Sequence, residues 1–177
     1  MAEPARTRRM TVGEFLAYDN GTDARYELVG GELVAMNPPA EPHVRLTSNL
    51  YDALLRQLGR PCRPYFGGGV WLSEDDDTWR EPDIFVACAE GEGFSRRPRL
   101  IVEVLSPSTE KEDRTLKLDF YRRFASLQAV LLVWQDTRRV ELHERAGAAW
   151  LVHDVIGSGA VTVEDLALTL SLDEIYA

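Results

Sequence analysis

Two short runs, IFVAC at 84–88 and LIVEVL at 100–105, constrain the fold of this chain more than any other feature. Each is almost unbroken in apolar side chains. A strand with one wet face alternates, whereas a strand covered on both faces reads as a continuous apolar run. Such strands need packed layers above and below, so the chain has to supply helices or further sheet on both sides. Other extended runs are expected at Arg63–Phe66, Val70–Leu72, Val130–Trp134, Val140–Glu144 and Trp150–Val155. Leu46, Leu50, Leu54 and Leu58 recur every four residues and predict an amphipathic helix ending at Gly59. A second helical pattern runs from about Ser108 to Ser126.

The N-terminal part adds two local signatures. Thr11 followed by Glu14 has the form of a capping box and predicts a short helix from about Val12 to Tyr18. RYELVGGELVAM, residues 25–36, places two alternating pieces around Gly30-Gly31 and predicts a β-hairpin. The last residues, VTVEDLALTLSLDEIYA, read as a short strand with a helical turn. Residues 1–10 read as a disordered tail and 11–177 as one α/β domain without internal repeat.

Charge narrows the function classes. Against 29 Asp+Glu stand 20 Lys+Arg, a net charge of −9, which argues against nucleic-acid binding by bulk electrostatics. DNA contacts would have to come from local basic runs: Arg96-Arg97 with Arg99, Arg114, Arg122-Arg123 and Arg138-Arg139. Each of these runs also reads as an ordinary solvated face. Cys62 and Cys88 are too few for a disulfide scaffold, and a zinc site built on His43, His143 and His153 would need carboxylates as well. There is no apolar run of membrane-spanning length and no apolar segment behind the basic start, so a cytoplasmic protein in a reducing compartment, with no membrane partner, is the expectation.

Carboxylates on strands that should be buried are the chemically informative feature. Side chains alternate along LIVEVL, so Glu103 shares a face with Ile101 and Leu105 in the middle of an apolar strand. Asp83, after Pro82, stands at the entry of the neighbouring run. An ionised carboxylate there is costly unless a cation or strong hydrogen bonds compensate it. Glu103 could instead pair with an arginine, and Asp83 could cap a loop. On the following helix Asp113, Lys117 and Tyr121 are four residues apart and share one side, with Leu116, Phe120 and Phe124 as a neighbouring apolar stripe. Lys117 then borders the buried face, where its ammonium could lean over the sheet end. An Asp113–Lys117 surface pair is the competing reading. In the hairpin Glu27 and Glu32 flank the turn, Glu27 being the more buried by its neighbours Tyr26 and Leu28. His43 precedes the first long helix and reads equally as a polar helix-start residue.

Taken in order, YELVGGELV, His43, EPDIFV, LIVEVLSPST and the Asp113-x3-Lys117-x3-Tyr121 helix resemble the Uma-two family of restriction endonucleases, a branch of the PD-(D/E)xK nuclease superfamily. The likeness covers roughly residues 10–145, and EVLSPST followed by that helix is its most specific part. The resemblance implies a restriction-endonuclease-like core, a mixed central β-sheet flanked by helices, with an N-terminal β-hairpin. It implies that Asp83 and Glu103 are metal ligands, with the carbonyl of Val104 nearby. The superfamily's usual lysine position holds Leu105, and the family's lysine falls at Lys117 on the next helix. Glu27 would complete the catalytic set Glu27, Asp83, Glu103 and Lys117, and His43, Asp113 and Tyr121 would support it. In the strand after the helix the chain reads AVLLVWQDTRRV, with Gln135 before Asp136, where family members often carry a tyrosine-tryptophan pair followed by valine-aspartate.

The activity so implied is magnesium-dependent cleavage of DNA, with manganese as a substitute metal and a homodimer among the expected assemblies. Magnesium suits such a site because it takes oxygen ligands and keeps waters while bridging phosphate. The alternative is a nuclease fold that is catalytically silent and serves as a binding or interaction module. No helix-turn-helix or zinc finger is present to read DNA sequence.

Overall fold

The computed structural model describes residues 9–19, 21, 23–88, 94–107 and 113–177, with 94 and 113 described in their backbone only. Its centre is a six-stranded sheet in the order β3-β4-β5-β6-β7-β8. The strands are β3 (Arg63–Tyr65), β4 (Ile84–Ala87), β5 (Pro98–Leu105), β6 (Ala129–Trp134), β7 (Arg139–Ala146) and β8 (Ala149–Ile156). Only β5 and β6 run parallel; every other neighbour is antiparallel, so the sheet is mixed. The two apolar runs become β4 and β5, and every residue of β4 is buried.

Strand alternation divides the interior into two layers. On one face Ile84, Val86, Leu100, Val102, Val104, Leu131 and Val140 meet Leu46, Leu50 and Leu54 of helix α2 (Glu41–Gln57). The four-residue leucine spacing is what turns that helix onto the sheet. The same layer takes in the C-terminal residues, which form two strands rather than the single one expected: β9 (Ala160–Val163) pairs antiparallel with β10 (Leu168–Ser171) before a last helical turn (Leu172–Ile175). The Glu164–Leu166 turn, closed by Ala167 at φ 49°, lets the chain double back there.

The other face packs Phe85, Ile101, Leu105, Val130 and Leu132 against Leu118, Phe120, Tyr121 and Phe124. The helix expected over 108–126 differs from its prediction. Residues 108–112 lie outside the described residues, Asp113–Lys117 form a π-helical turn, and only Leu118–Arg122, helix α3, are α-helical. A π turn holds more residues than an α turn and rotates everything after it. The apolar stripe consequently fails at its start: Leu116 is 61% exposed, while Tyr121 is fully buried.

The capping box at Thr11 and Glu14 is present and starts helix α1 (Val12–Leu16). The glycine hairpin forms as β1 (Tyr26–Val29) and β2 (Glu32–Ala35). It is bound to the body through Leu28, which exchanges backbone hydrogen bonds with Trp79. At the tail, residues 1–8 are outside the described residues, while Met10 donates its N–H to Gly31. Val70–Leu72 is not a strand; Val70 makes one isolated bridge to Arg80, because Gly67, at φ 65°, turns the chain off the sheet edge after β3. Gly69 lies so close to Trp79 that a Cβ would stand 1.9 Å from the indole ring. A disulfide joins Cys62 and Cys88, a pairing not anticipated from two cysteines alone. Among the described residues no helix is long and apolar enough to cross a membrane.

Candidate active site

Glu103 occupies the sheet face predicted from strand alternation, beside Ile101 and Leu105, and is 2% exposed. Its Oε1 receives two donors from the helix above: the Tyr121 hydroxyl and the Lys117 ammonium, the latter at 3.2 Å. Lys117 is thus turned inward onto the sheet. Burial raises the Tyr121 pKa well above its ordinary value, and the nearby negative charges of Glu103 and Glu27 and the hydrogen bond to Glu103 push it further up, against Arg80. The phenol therefore keeps its proton and acts only as a donor to the carboxylate.

Asp83 stands one residue before β4. Ile84 pairs with Val102, so continuing that antiparallel register sets Asp83 opposite Glu103. Its Oδ2 accepts the backbone N–H of Val104 at 2.7 Å, capping the end of the β4–β5 ladder. Its Oδ1 lies 2.8 Å from Nε2 of His43 in the first turn of α2. An ionised carboxylate only accepts, so this contact makes Nε2 the donor. His43 and Asp83 thereby tie the helix on one face of the sheet to the strand end facing the other.

Glu27, on β1, is buried and has both oxygens engaged: Oε2 with Arg80 at 2.6 Å and Oε1 with the N–H of Glu81 at 2.9 Å. Arg80 is 2% exposed, and the one sequence signal for it is that a buried Glu27 requires a cation, without indicating which. The neighbouring Glu81 is paired with Arg25. The influence of Glu27 and Arg80 on Tyr121 places this pair in the same electrostatic environment as Glu103. Of the remaining predicted residues, the side chain of Asp113 lies outside the described residues, and its backbone opens the π turn.

A second polar layer lies two strands away. Glu103 is in register with Leu132, and Leu132 with Glu141, so the two glutamates stand in one row across β5, β6 and β7. Glu141 accepts from Arg114 at 3.1 Å and lies 2.6 Å from His143 Nε2, while His143 Nδ1 lies 3.0 Å from Arg122. Burial lowers the His143 pKa, opposed by Glu141 and assisted by Arg122 and Arg114, so the ring stays neutral. Nε2–H then donates to Glu141 and Nδ1 accepts from Arg122.

The donor set at Asp83 and Glu103 fits a hard divalent cation. Both are carboxylates, and such ions take carboxylate oxygens as ligands. Among the described residues no three histidine, cysteine, aspartate or glutamate side chains converge on one point.

Comparison with known proteins finds similarity over most of the chain. The sequence profile of the Uma2 family, described as "Putative restriction endonuclease", matches residues 12–173. The chain is 30% identical over 165 residues to the uncharacterized Synechocystis protein sll1609, covering 88% of this chain and 93% of that one. It is 25% identical over 181 residues to a second uncharacterized Synechocystis protein, slr1290, covering 95% and 92%. The fold is similar to the crystal structure of a "putative nuclease belonging to DUF820" from Anabaena variabilis, with TM-score 0.74 and 19% identity over 94% of this chain and 97% of that one.

Proposed function

The chain belongs to the Uma2 family, and on that premise we propose that it is a metal-dependent endonuclease hydrolysing DNA phosphodiester bonds at Asp83, Glu103 and Lys117, within one nuclease domain. The observation that carries this reading is the buried Glu103, held by Lys117 and Tyr121 beside an Asp83 fastened to the next residue's N–H. Asp83 and Glu103 would hold magnesium, or manganese in its place, with the Val104 carbonyl as an added oxygen. When bound, that ion supplies charge neutralisation at the phosphoryl oxygens and a more acidic water.

The protein's own groups do the rest. Lys117 sets a positive charge 3.2 Å from Glu103, where it steadies charge on the reacting phosphoryl group and orients the attacking water. Tyr121 and His43 position the two carboxylates. Glu27 acts from the hairpin side, where its pairing with Arg80 aligns the residues that lead to Asp83. The test is relaxation or linearisation of supercoiled plasmid with magnesium or manganese. Wild-type protein is expected to cut, Asp83→Asn and Glu103→Gln to lose cutting while keeping a cooperative melt, and Lys117→Ala to retain a reduced rate. Full cutting by folded Glu103→Gln discards the assignment.

One observation favours a second reading. The charges of Glu103 and Glu27 are already met by Lys117 and Arg80, as in a site that no longer needs a metal. A nuclease fold kept as an interaction module would show that pattern and bind no divalent ion.

A further inference from the structure

Arg122 and Arg145 differ from the other arginines on this face of the sheet. Arg114 has a carboxylate partner in Glu141, and Arg139 is bound by Asp154 and Glu141. Arg122 and Arg145 have none among the described residues. The Arg145 guanidinium donates to the carbonyls of Leu127, Arg122 and Phe124. Arg122 donates to a neutral His143, and its Nε is buried without a hydrogen-bond partner. Both guanidiniums also stack on one ring, Trp150, at 4.6 Å for Arg145 and 5.5 Å for Arg122. Two like charges held against one indole with no counter-ion repel each other, and an anion between them relieves that repulsion. All three side chains are half-buried, hence reachable from solvent.

Their position gives the anion a meaning. Arg122 follows Lys117 by five residues along the helical segment above the sheet, a rise of roughly 7–8 Å. Arg145 and Trp150 lie directly opposite one another on β7 and β8, on the side of the sheet away from Asp83. We infer that Arg122, Arg145 and Trp150 form a contact for the phosphate backbone of duplex DNA, flanking the bond to be cut. This rests on the nuclease reading for its choice of anion. It also explains how a chain of net charge −9 engages a polyanion: the fold collects unpaired arginine charge on one face of an acidic body. Phosphate contacts of this kind position a duplex and carry no sequence information.

The experiment is fluorescence polarisation of a labelled duplex, in EDTA so that no cleavage intervenes, across a salt series. Wild-type protein is expected to bind, and R122Q/R145Q to bind at least about tenfold more weakly at about 100 mM salt, with a log–log salt slope shallower by about two. Arg145 also braces the chain through three carbonyls, so R122Q alone is measured with it and should lower the slope by about one. R122K/R145K should keep the wild-type slope. R96Q/R97Q removes two exposed arginines just before β5, two strands across the sheet from β7, and should change nothing. Wild-type slope in folded R122Q, equal loss in R96Q/R97Q, or no duplex binding by wild-type protein would each overturn the inference. Plasmid cleavage is read separately with magnesium: arginine-dependent binding without cleavage removes the nuclease reading and leaves this contact standing.

Discussion

Tyr121 donates its hydroxyl hydrogen to the same oxygen of Glu103 that receives the Lys117 ammonium. Both donors come from the helical segment that crosses the sheet face, and Glu103 is buried beneath them. Losing one donor should therefore be felt in stability as well as in the site. A hydrogen bond to a charged group is worth about 1.5–3 kcal/mol, so Tyr121→Phe should lower the melting temperature by roughly 3–12 °C in a chain of this size. Lys117 stays in place, so cleavage should fall but persist. Differential scanning calorimetry with the plasmid assay checks both; an unchanged melt would show that the hydroxyl contributes nothing to Glu103.

The Arg80–Glu27 pair calls for a different experiment, because both partners are out of water. Breaking such a pair by removing one partner costs about 3–5 kcal/mol, since the other charge is left buried and uncompensated. Arg80→Met should be strongly destabilised, and Arg80→Met/Glu27→Met should recover a substantial part of the loss. Denaturant unfolding of the two variants measures this. If the double variant is no more stable than the single one, the pairing is not what holds the hairpin strand to residues 80–81.

His143 sets an acid limb. Its folded pKa is depressed below 6.5, chiefly by burial, so as pH falls through 6.5 the unfolded chain takes up a proton that the folded chain refuses. Its contribution to stability is present above pH 6.5 and is lost as pH drops toward the folded pKa, with a slope of at most about 1.4 kcal/mol per pH unit. His143→Gln should flatten that part of the stability profile. Chemical denaturation of both proteins from about pH 8 to 5 reads the slopes, and identical slopes would remove His143 as the cause.

How much of this was legible in the sequence depends on the range of the interaction involved. The burial of β4 and β5 and the direction of Glu103 follow from alternation and apolar continuity within one strand. The capping box and the glycine hairpin are equally local, and both formed. The helix carrying Lys117 was visible, but a four-residue spacing presumes α geometry, and the π turn moved Leu116 outward and Tyr121 inward. Arg80 beneath Glu27, and Arg122 on His143, join residues 53 and 21 apart with no spacing rule between them. The same holds for Cys62 and Cys88, brought together because β3 and β4 are neighbours with Arg63 opposite Ala87.

Central to the account is that Asp83 and Glu103 hold one divalent ion between adjacent strands. Isothermal titration of manganese into wild-type protein, Asp83→Asn and Glu103→Gln tests this without needing the right DNA. The account predicts saturable binding near one ion per chain in wild-type protein and its loss in both variants, each still folded. Binding that is absent from wild-type protein, or that survives unchanged in both variants, would contradict it.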